Sequence, residues 1–373
     1  MTKYISARQA GIIAFLCILA NKFLLLPSYM FKDNKSDSIF VMILLFALDF
    51  AMLPILLKLK KEFPEEKLFD ILSKKITKPV TILFYMIFGV YFLFKTLIIV
   101  DVVYVYLKQQ VYQEDFLAIA IMSIIPVVSH AAVKGIKTIS RTAEFFLLLV
   151  IIGFVTCLGF SLFTTLNMPV LFTTPAKVFF SSIYKYTFSF GDFLVLYLII
   201  DKIKIKKGEE KKLYKFSLSA MVLILSLFVL YYAKYEVTSF MHNDALSDIL
   251  VFSVRFNAIG RLDIISMLTI MFIALFEVEI FCFAFCDCVE NVFPLLSKPF
   301  IVAIFDISSL LCYFILIQKY ERIVSLFSSW LSYVGIFINY VFPIICLTIA
   351  LIAYFSRKKY EKLVDGGEKW REN

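Results

Sequence analysis

Apolar residues run through this chain in stretches of about 20, separated by lysines, prolines and short polar clusters. Ten such runs can be drawn, at 10–30, 38–57, 79–107, 116–133, 142–166, 179–200, 213–233, 264–289, 300–316 and 333–355. At about 1.5 Å rise per residue, each can cross about 30 Å of hydrocarbon as a helix. The pattern predicts an all-α membrane protein with ten transmembrane helices. The third run is long enough to tilt or project, and the ninth is the shortest.

Two runs do not read as continuous helix. In the first, Ala20, Asn21 and Lys22 interrupt the apolar stretch, and Pro27 then removes a backbone donor. In the sixth, Tyr186-Thr-Phe-Ser189-Phe190-Gly191-Asp192 places hydroxyls, a glycine and an acid at mid-membrane. Unsatisfied backbone in lipid costs several kcal/mol per group, so such breaks survive only around a protected cavity. The two broken runs each open a half of five runs, at 10–166 and 179–355. An odd number of crossings inverts the second half relative to the first. Matched breaks in inverted halves are the sequence pattern of a transporter-type site, with helix N-termini for an anion and unwound carbonyls for a cation. The plainer alternative is that Asn21 and Gly191 only allow close helix packing.

Composition and charge sharpen the class. Of 373 residues, 61% are hydrophobic, 17% aromatic and 18% charged. Soluble domains hold about 45–50% apolar and about 25% charged residues. These figures exclude a soluble globular protein, a disordered chain, a nucleic-acid binder and a secreted disulfide scaffold. The N-terminus lacks a signal peptide's short apolar core and cleavage site, so the first helix is expected to be retained. With the N-terminus inside, 26 basic residues fall on cytoplasmic segments and nine on external ones. The excess assigns both termini to the cytoplasm and accounts for the +9 net charge without an acidic partner. The whole chain, 1–373, then reads as a single transmembrane domain with a charged cytoplasmic tail at 356–373. The largest external loop, 234–263, could lie as short helices over the outer face. Residues 64–75 read as a short interfacial helix with Leu68, Phe69, Ile71 and Leu72 on one side.

At the two breaks and elsewhere along nearly the whole chain, the residues resemble a known family. Ile5-Ser-Ala-Arg-Gln9, Leu25-Leu-Pro27-Ser28, Ile139-Ser-Arg141-Thr-Ala-Glu144, Phe188-Ser-Phe-Gly-Asp-Phe193 and Gly260-Arg-Leu-Asp263 look like the B subunit of GerA-type spore germinant receptors, in order and spacing. That spore germination permease family is similar to amino acid–polyamine–organocation transporters. The resemblance implies a LeuT-like 5+5 inverted-repeat fold with helices 1 and 6 broken. It also implies a nutrient-sensing subunit of the spore inner membrane, working with A and C subunits. Ala20-Asn21-Lys22 departs from the glycines usual at this break in related transporters.

Ionisable residues inside spans are costly, so each is a functional candidate with a partner to find. Lys22, Asp49, Lys95, Asp192, Glu277 and Glu279 lie near the midplane, and Asp101 and Lys185 lie nearer the outside. Asp49, Lys95 and Asp192 are expected to form a buried charge network. The expected ligand pocket combines Ala20, Asn21 and Lys22 of run one, Leu97 and Asp101 of run three, Ser189, Phe190 and Gly191 of run six, and Glu277 of run eight. Lys22, beside the first break, could meet a ligand carboxylate. Glu277 and Glu279 cannot share a helix face, so only one is expected to point into the bundle, and Glu277 matches Asp192 in depth.

Other chemistry finds little support. Sodium coupling in the implied fold leans on paired hydroxyls deep in the eighth span, where residues 276–289 carry none. Cys282, Cys286 and Cys288 lack a nearby histidine, and they read as core packing with no metal, cofactor or catalytic site. Tyr184, Tyr186, Tyr231, Tyr232 and Trp330 read as interfacial anchors. Two functions remain. One is a receptor that binds a small nutrient such as an amino acid at mid-membrane and triggers germination. The other is a secondary transporter of such a solute, proton-coupled through Asp49, Asp192 or Glu277.

Overall fold

The structure, a computed structural model, describes residues 4–20, 22, 26–110, 116–161, 171–206, 208–235, 238–239, 263–317 and 330–368. The chain is built from helices. The first run divides into α1 (Ala7–Ala20) and α2 (Leu26–Asn34), and the second into α3 (Ser38–Phe50) and α4 (Met52–Glu62), joined at Ala51. The short helix α5 (Leu68–Lys75) buries Leu68, Ile71 and Leu72 and sets Phe69 edge-on to Tyr85 at 5.0 Å. Long helices follow as α6 (Lys78–Gln110), α7 (Phe116–Lys134) and α8 (Ile136–Ser161). The sixth run is α9 (Ala176–Tyr186), a 3-10 turn at Thr187–Ser189, and α10 (Leu194–Leu198). Then come α11 (Glu210–Tyr235), α12 (Asp263–Val292) and α13 (Lys298–Ile317). The last run is α14 (Trp330–Ile336), a π-helical turn at Phe337–Val341, and α15 (Phe342–Glu368), which stays helical into the expected tail.

Six helices among the described residues are long and apolar enough to cross a membrane: Leu26–Glu62, Lys78–Tyr104, Ile136–Thr156, Glu210–Tyr235, Ile265–Val292 and Leu331–Arg357. Two shorter apolar helices, Ala7–Leu19 and Ile124–Lys134, accompany them. The centre of the bundle is α12, which packs on α6, α8, α7 and α1, while α1 also packs on α11. A helix covered on so many sides buries residues on opposite faces through its second half, while Leu268 near its start stays exposed.

That central position corrects the expectation for the two glutamates. Glu277 and Glu279 are both buried, at 0% and 2% exposure, because opposite faces of α12 both meet protein. A second correction concerns the tyrosines. Tyr186, Tyr231 and Tyr232 are buried, each with its phenol donating inward: Tyr186 to Asp33 Oδ2 with Tyr29 O beside it, Tyr231 to Ser239 O and Tyr232 to Pro27 O, at 2.7–2.9 Å. Tyrosine supplies an apolar ring and one donor, which serves a protein interior with irregular backbone as well as it serves a bilayer surface.

One end of the bundle ties the chain's start to the segment after α10. Ile5–Ser6 (β1) pairs in parallel with Ile203–Lys204 (β2), and Lys202 pairs with Asp287 at 2.6 Å. Towards the other end Lys185 of α9 meets Asp33 of α2 at 2.7 Å. Between α2 and α3, Asp37 accepts hydrogen bonds from the amides of Phe172, Thr173 and Thr174 at 2.5–2.7 Å. Successive amides turned onto one carboxylate make an anion nest, which holds Phe172 at φ +61°.

Candidate ligand-binding site at two helix breaks

The sixth-run break follows from local sequence. Thr187–Ser189 tighten into a 3-10 turn, Phe190 extends at φ −104° and ψ −171°, and Gly191 turns to φ +89° before the helix restarts at Leu194. Only glycine takes that left-handed turn without steric cost. A side chain there would also meet Asn339 Oδ1 at 2.7 Å and Tyr91 Oη at 2.8 Å.

A broken helix exposes amides and carbonyls that need partners. Here side chains from three other elements supply them. Asn339, in the π-helical turn, donates from Nδ2 to Thr187 O at 2.8 Å. Lys95 of α6 donates to Ser189 O at 3.3 Å, and the Tyr91 hydroxyl donates to Phe190 O. Gly191 N donates to Asp49 Oδ1 of α3 at 3.1 Å.

The charges gather on Asp192. Lys95 Nζ lies 2.8 Å from Oδ1, and Lys22 binds Oδ2. All three side chains are buried. Lys22 follows α1 directly, its own amide donating to Leu19 O at 3.2 Å, and its ammonium lies 4.8 Å from the Phe190 ring centre. The pair therefore joins the two breaks. An isolated buried charge is prohibitive, and a hydrogen-bonded carboxylate between two ammoniums is a tolerable form of it. Glu277 completes the cluster from α12, within electrostatic reach of Lys95, Asp192 and Lys22.

The structure brings together Lys22, Asp49, Lys95, Ser189, Phe190, Gly191, Asp192 and Glu277. Lys22 faces Asp192, where the sequence reading offered it to a ligand carboxylate. Leu97 is buried on α6, but two residues of helix turn it onto a different face from Lys95. Asp101 is buried about 9 Å further along α6 than Lys95, and among the described residues no hydrogen bond or ion pair joins it to Asp192. Ala20 ends α1, and Asn21 lies outside the described residues, as do most of the 234–263 loop and the Arg261-Leu262 element.

Three participants escaped the sequence reading. Asn339 is one polar residue in an apolar run with no glycine or proline beside it. Tyr91 was hidden among 20 tyrosines, and Phe281 of α12, 5.9 Å from the Lys95 ammonium, among 42 phenylalanines. Among the described residues, no group of three or more His, Cys, Asp or Glu side chains could hold a metal ion. Above the break, α9 and the last run leave an open cleft of about 290 Å³ lined by Phe180, Ile183, Tyr184, Thr187, Ile336 and Tyr340.

Comparisons with known proteins bear on this arrangement. Residues 4–323 match the sequence model of a family described as "Spore germination protein". No curated protein sequence matches the chain. Among solved structures the chain is similar to a Na+-coupled sialic acid symporter in a substrate-bound outward-open state. The TM-score is 0.59 at 11% identity, covering 90% of this chain and 79% of that one. At that identity the likeness speaks for the fold alone, which is that of LeuT-like transporters.

Proposed function

This chain belongs to the spore germination protein family, and from that premise we propose that it is a nutrient-sensing subunit of a spore germinant receptor. It is a multi-pass integral membrane protein, consistent with six apolar membrane-length helices. A small molecule such as an amino acid would bind at mid-membrane between the two helix breaks. The expected site combines Ala20, Asn21, Lys22, Ser189, Phe190, Gly191 and Glu277, with Leu97 and Asp101 as more remote selectivity residues. The reading includes ten spans in two inverted halves, cytoplasmic termini, residence in the spore inner membrane, and A and C subunits as partners.

The observation that carries it is the interrupted helix at 187–194. Its backbone groups meet polar side chains deep in an apolar bundle, and its Asp192 is tied to Lys22 beside the other break. Irregular backbone at membrane depth is kept where it lines a site. A ligand that binds one arrangement of the two breaks better than the other shifts their equilibrium by its differential affinity. Partner subunits would read that shift, and no turnover is needed.

The likeness to a symporter fold favours a second reading, a secondary transporter of an amino acid or other organic solute, in which the buried acids Asp49, Asp192 or Glu277 would make protons the coupling ion. Deleting the gene and scoring nutrient-triggered germination, alongside labelled-solute uptake into liposomes holding the purified chain, separates the two. A germination defect without uptake supports the receptor. Saturable uptake with normal germination overturns it.

A further inference from the structure

The carboxylate nearest the sixth-run break is not the one that could take a ligand. Both Asp192 oxygens are occupied, one by Lys22 and the other by Lys95. Asp49 differs. Its Oδ1 accepts the Gly191 amide, while its Oδ2 receives no hydrogen bond from any described residue, although Asp49 is 1% exposed. Asn339 is in the same condition. Its Nδ2 is committed to Thr187 O, and its buried Oδ1 has no donor among the described residues. Both side chains are aimed at Gly191: Asp49 bonds its amide, and Asn339 Oδ1 lies 2.7 Å from where a Cβ would stand.

We propose that Asp49 Oδ2 and Asn339 Oδ1 at Gly191 form a subsite for a primary ammonium group, entered from the cleft at Tyr340. The proposal deepens the receptor reading and rests on it, by stating which end of a ligand goes where. Two buried acceptors without donors call for a donor, since an unsatisfied buried oxygen costs about 1–3 kcal/mol. Charge gives the same answer. The described groups acting electrostatically on Asp49 are Asp192, Lys22 and Lys95, and Glu277 acts on the same lysines. Counted as ionised, that is three carboxylates against two ammoniums, so a single positive charge, a bound cation or a proton on one carboxyl, balances the cluster.

Geometry selects the kind of cation. A primary ammonium has three donors. Asp49 Oδ2 and Asn339 Oδ1 would take two, and the Tyr91 phenol oxygen, which lies 2.8 Å from the same point beside Gly191 as Asn339 Oδ1 does at 2.7 Å, would take the third. The cleft above is aromatic, with Phe180, Tyr184 and Tyr340, which suits passage of an organic cation. It ends where the Tyr340 hydroxyl stands 3.4 Å from Thr187 Oγ1, directly beside Asn339. The π-helical turn at Phe337–Val341 presents Asn339 and Tyr340 together, a local irregularity frequent at functional sites.

The test uses the full-length chain in lipid nanodiscs, with methylammonium as probe and tetramethylammonium and sodium at matched ionic strength as comparisons. Methylammonium is expected to raise the wild-type Tm saturably, and the other two cations are not. Asp49→Asn still accepts from Gly191 N, and its own N–H occupies the Oδ2 position, so it should fold and bind methylammonium at least tenfold more weakly. Asn339→Leu removes the second acceptor, and at least a threefold loss is expected. If either variant fails to fold, the other decides. No saturable response in the wild type, an equal response to sodium or tetramethylammonium, or undiminished binding by a folded variant overturns the subsite and leaves water as its occupant. Germination of the deletion strain is scored separately. Normal germination with intact methylammonium binding removes the receptor reading and leaves the subsite standing.

Discussion

The ammonium of Lys95 lies 2.8 Å from a carboxylate oxygen of Asp192, with both side chains withdrawn from solvent. Lys22 holds the other oxygen, so one acid fixes two cations, one from the middle of α6 and one beside the end of α1. Here the protein's own charges join the breaks, which lets the unwound backbone persist in an apolar interior.

Removing that acid should therefore be severe. Asp192→Asn leaves two buried ammoniums facing a neutral amide, and breaking a buried pair costs about 3–5 kcal/mol. The triple variant Lys22→Met, Lys95→Met, Asp192→Leu removes the three paired charges together, leaving only the acids Asp49 and Glu277, and should unfold at a higher temperature than Asp192→Asn alone. Thermal unfolding in nanodiscs ranks them. The reverse order would show that the charges are not the main cost.

Gly191 and Gly208 have almost the same backbone turn, at φ +89° and +88°, but different surroundings. An added Cβ at Gly208 meets nothing within 4 Å, whereas at Gly191 it meets Asn339 Oδ1, Tyr91 Oη and Ile338 Cγ2 at 2.7, 2.8 and 3.0 Å. Gly208→Ala should cost only the left-handed penalty of about 1–2 kcal/mol. Gly191→Ala should add about 1–3 kcal/mol of crowding. Chemical unfolding of the two variants measures the difference, and equal losses would mean that the break is loosely packed.

What the sequence reveals divides along physical lines. Membrane-length apolar runs and the sixth-run break can be read locally, because length against bilayer thickness and a glycine followed by an acid are both properties of neighbouring residues. Partner choice cannot. Asp192 meets Lys22 and Lys95 across 170 and 97 positions, and a periodicity argument contains nothing about which acid a lysine will face. Asn339 and Tyr91 were invisible for a related reason. Each joins the site through another element's broken backbone, a demand that exists only once the bundle has assembled. The buried Tyr231 and Tyr232 make the same point from the opposite side, since composition alone gives a tyrosine to the membrane surface.

Close approach of the last run to the break offers a third test. A Cβ on Gly335 would stand 2.7 Å from Phe188 N and 2.8 Å from Phe188 Cα, both backbone atoms that cannot rotate away. Gly335→Ala should therefore push α14 off the 3-10 turn and cost about 1–3 kcal/mol. Gly89 of α6 is the control, because its added Cβ would make ordinary contacts at 3.8–3.9 Å. Gly89→Ala should be neutral or stabilising by up to about 1 kcal/mol through helix propensity. A lowered Tm is expected for Gly335→Ala and an unchanged or raised one for Gly89→Ala.

The Asp37 nest makes the fourth prediction, in the connection between α2 and α3. Partial burial pushes this carboxyl up, but hydrogen bonds from Thr174, Phe172 and Thr173 outweigh it and hold the group below its usual value. A group depressed in the folded state contributes its stability above the unfolded value, about 3.9, and loses it as the pH falls through the lower folded value. The contribution should thus be constant from pH 8 to about 5 and disappear in stronger acid. Asp37→Asn keeps an amide oxygen for Thr173 and Thr174 but loses the charge and turns an N–H onto the Phe172 amide. After solvent screening, about 1 kcal/mol should be lost at neutral pH. Unfolding profiles of wild type and variant should run parallel above about pH 5 and converge below about pH 4. A gap that instead widened in acid would mean that the carboxyl is neutral in the folded chain and that the three amides are held by something else.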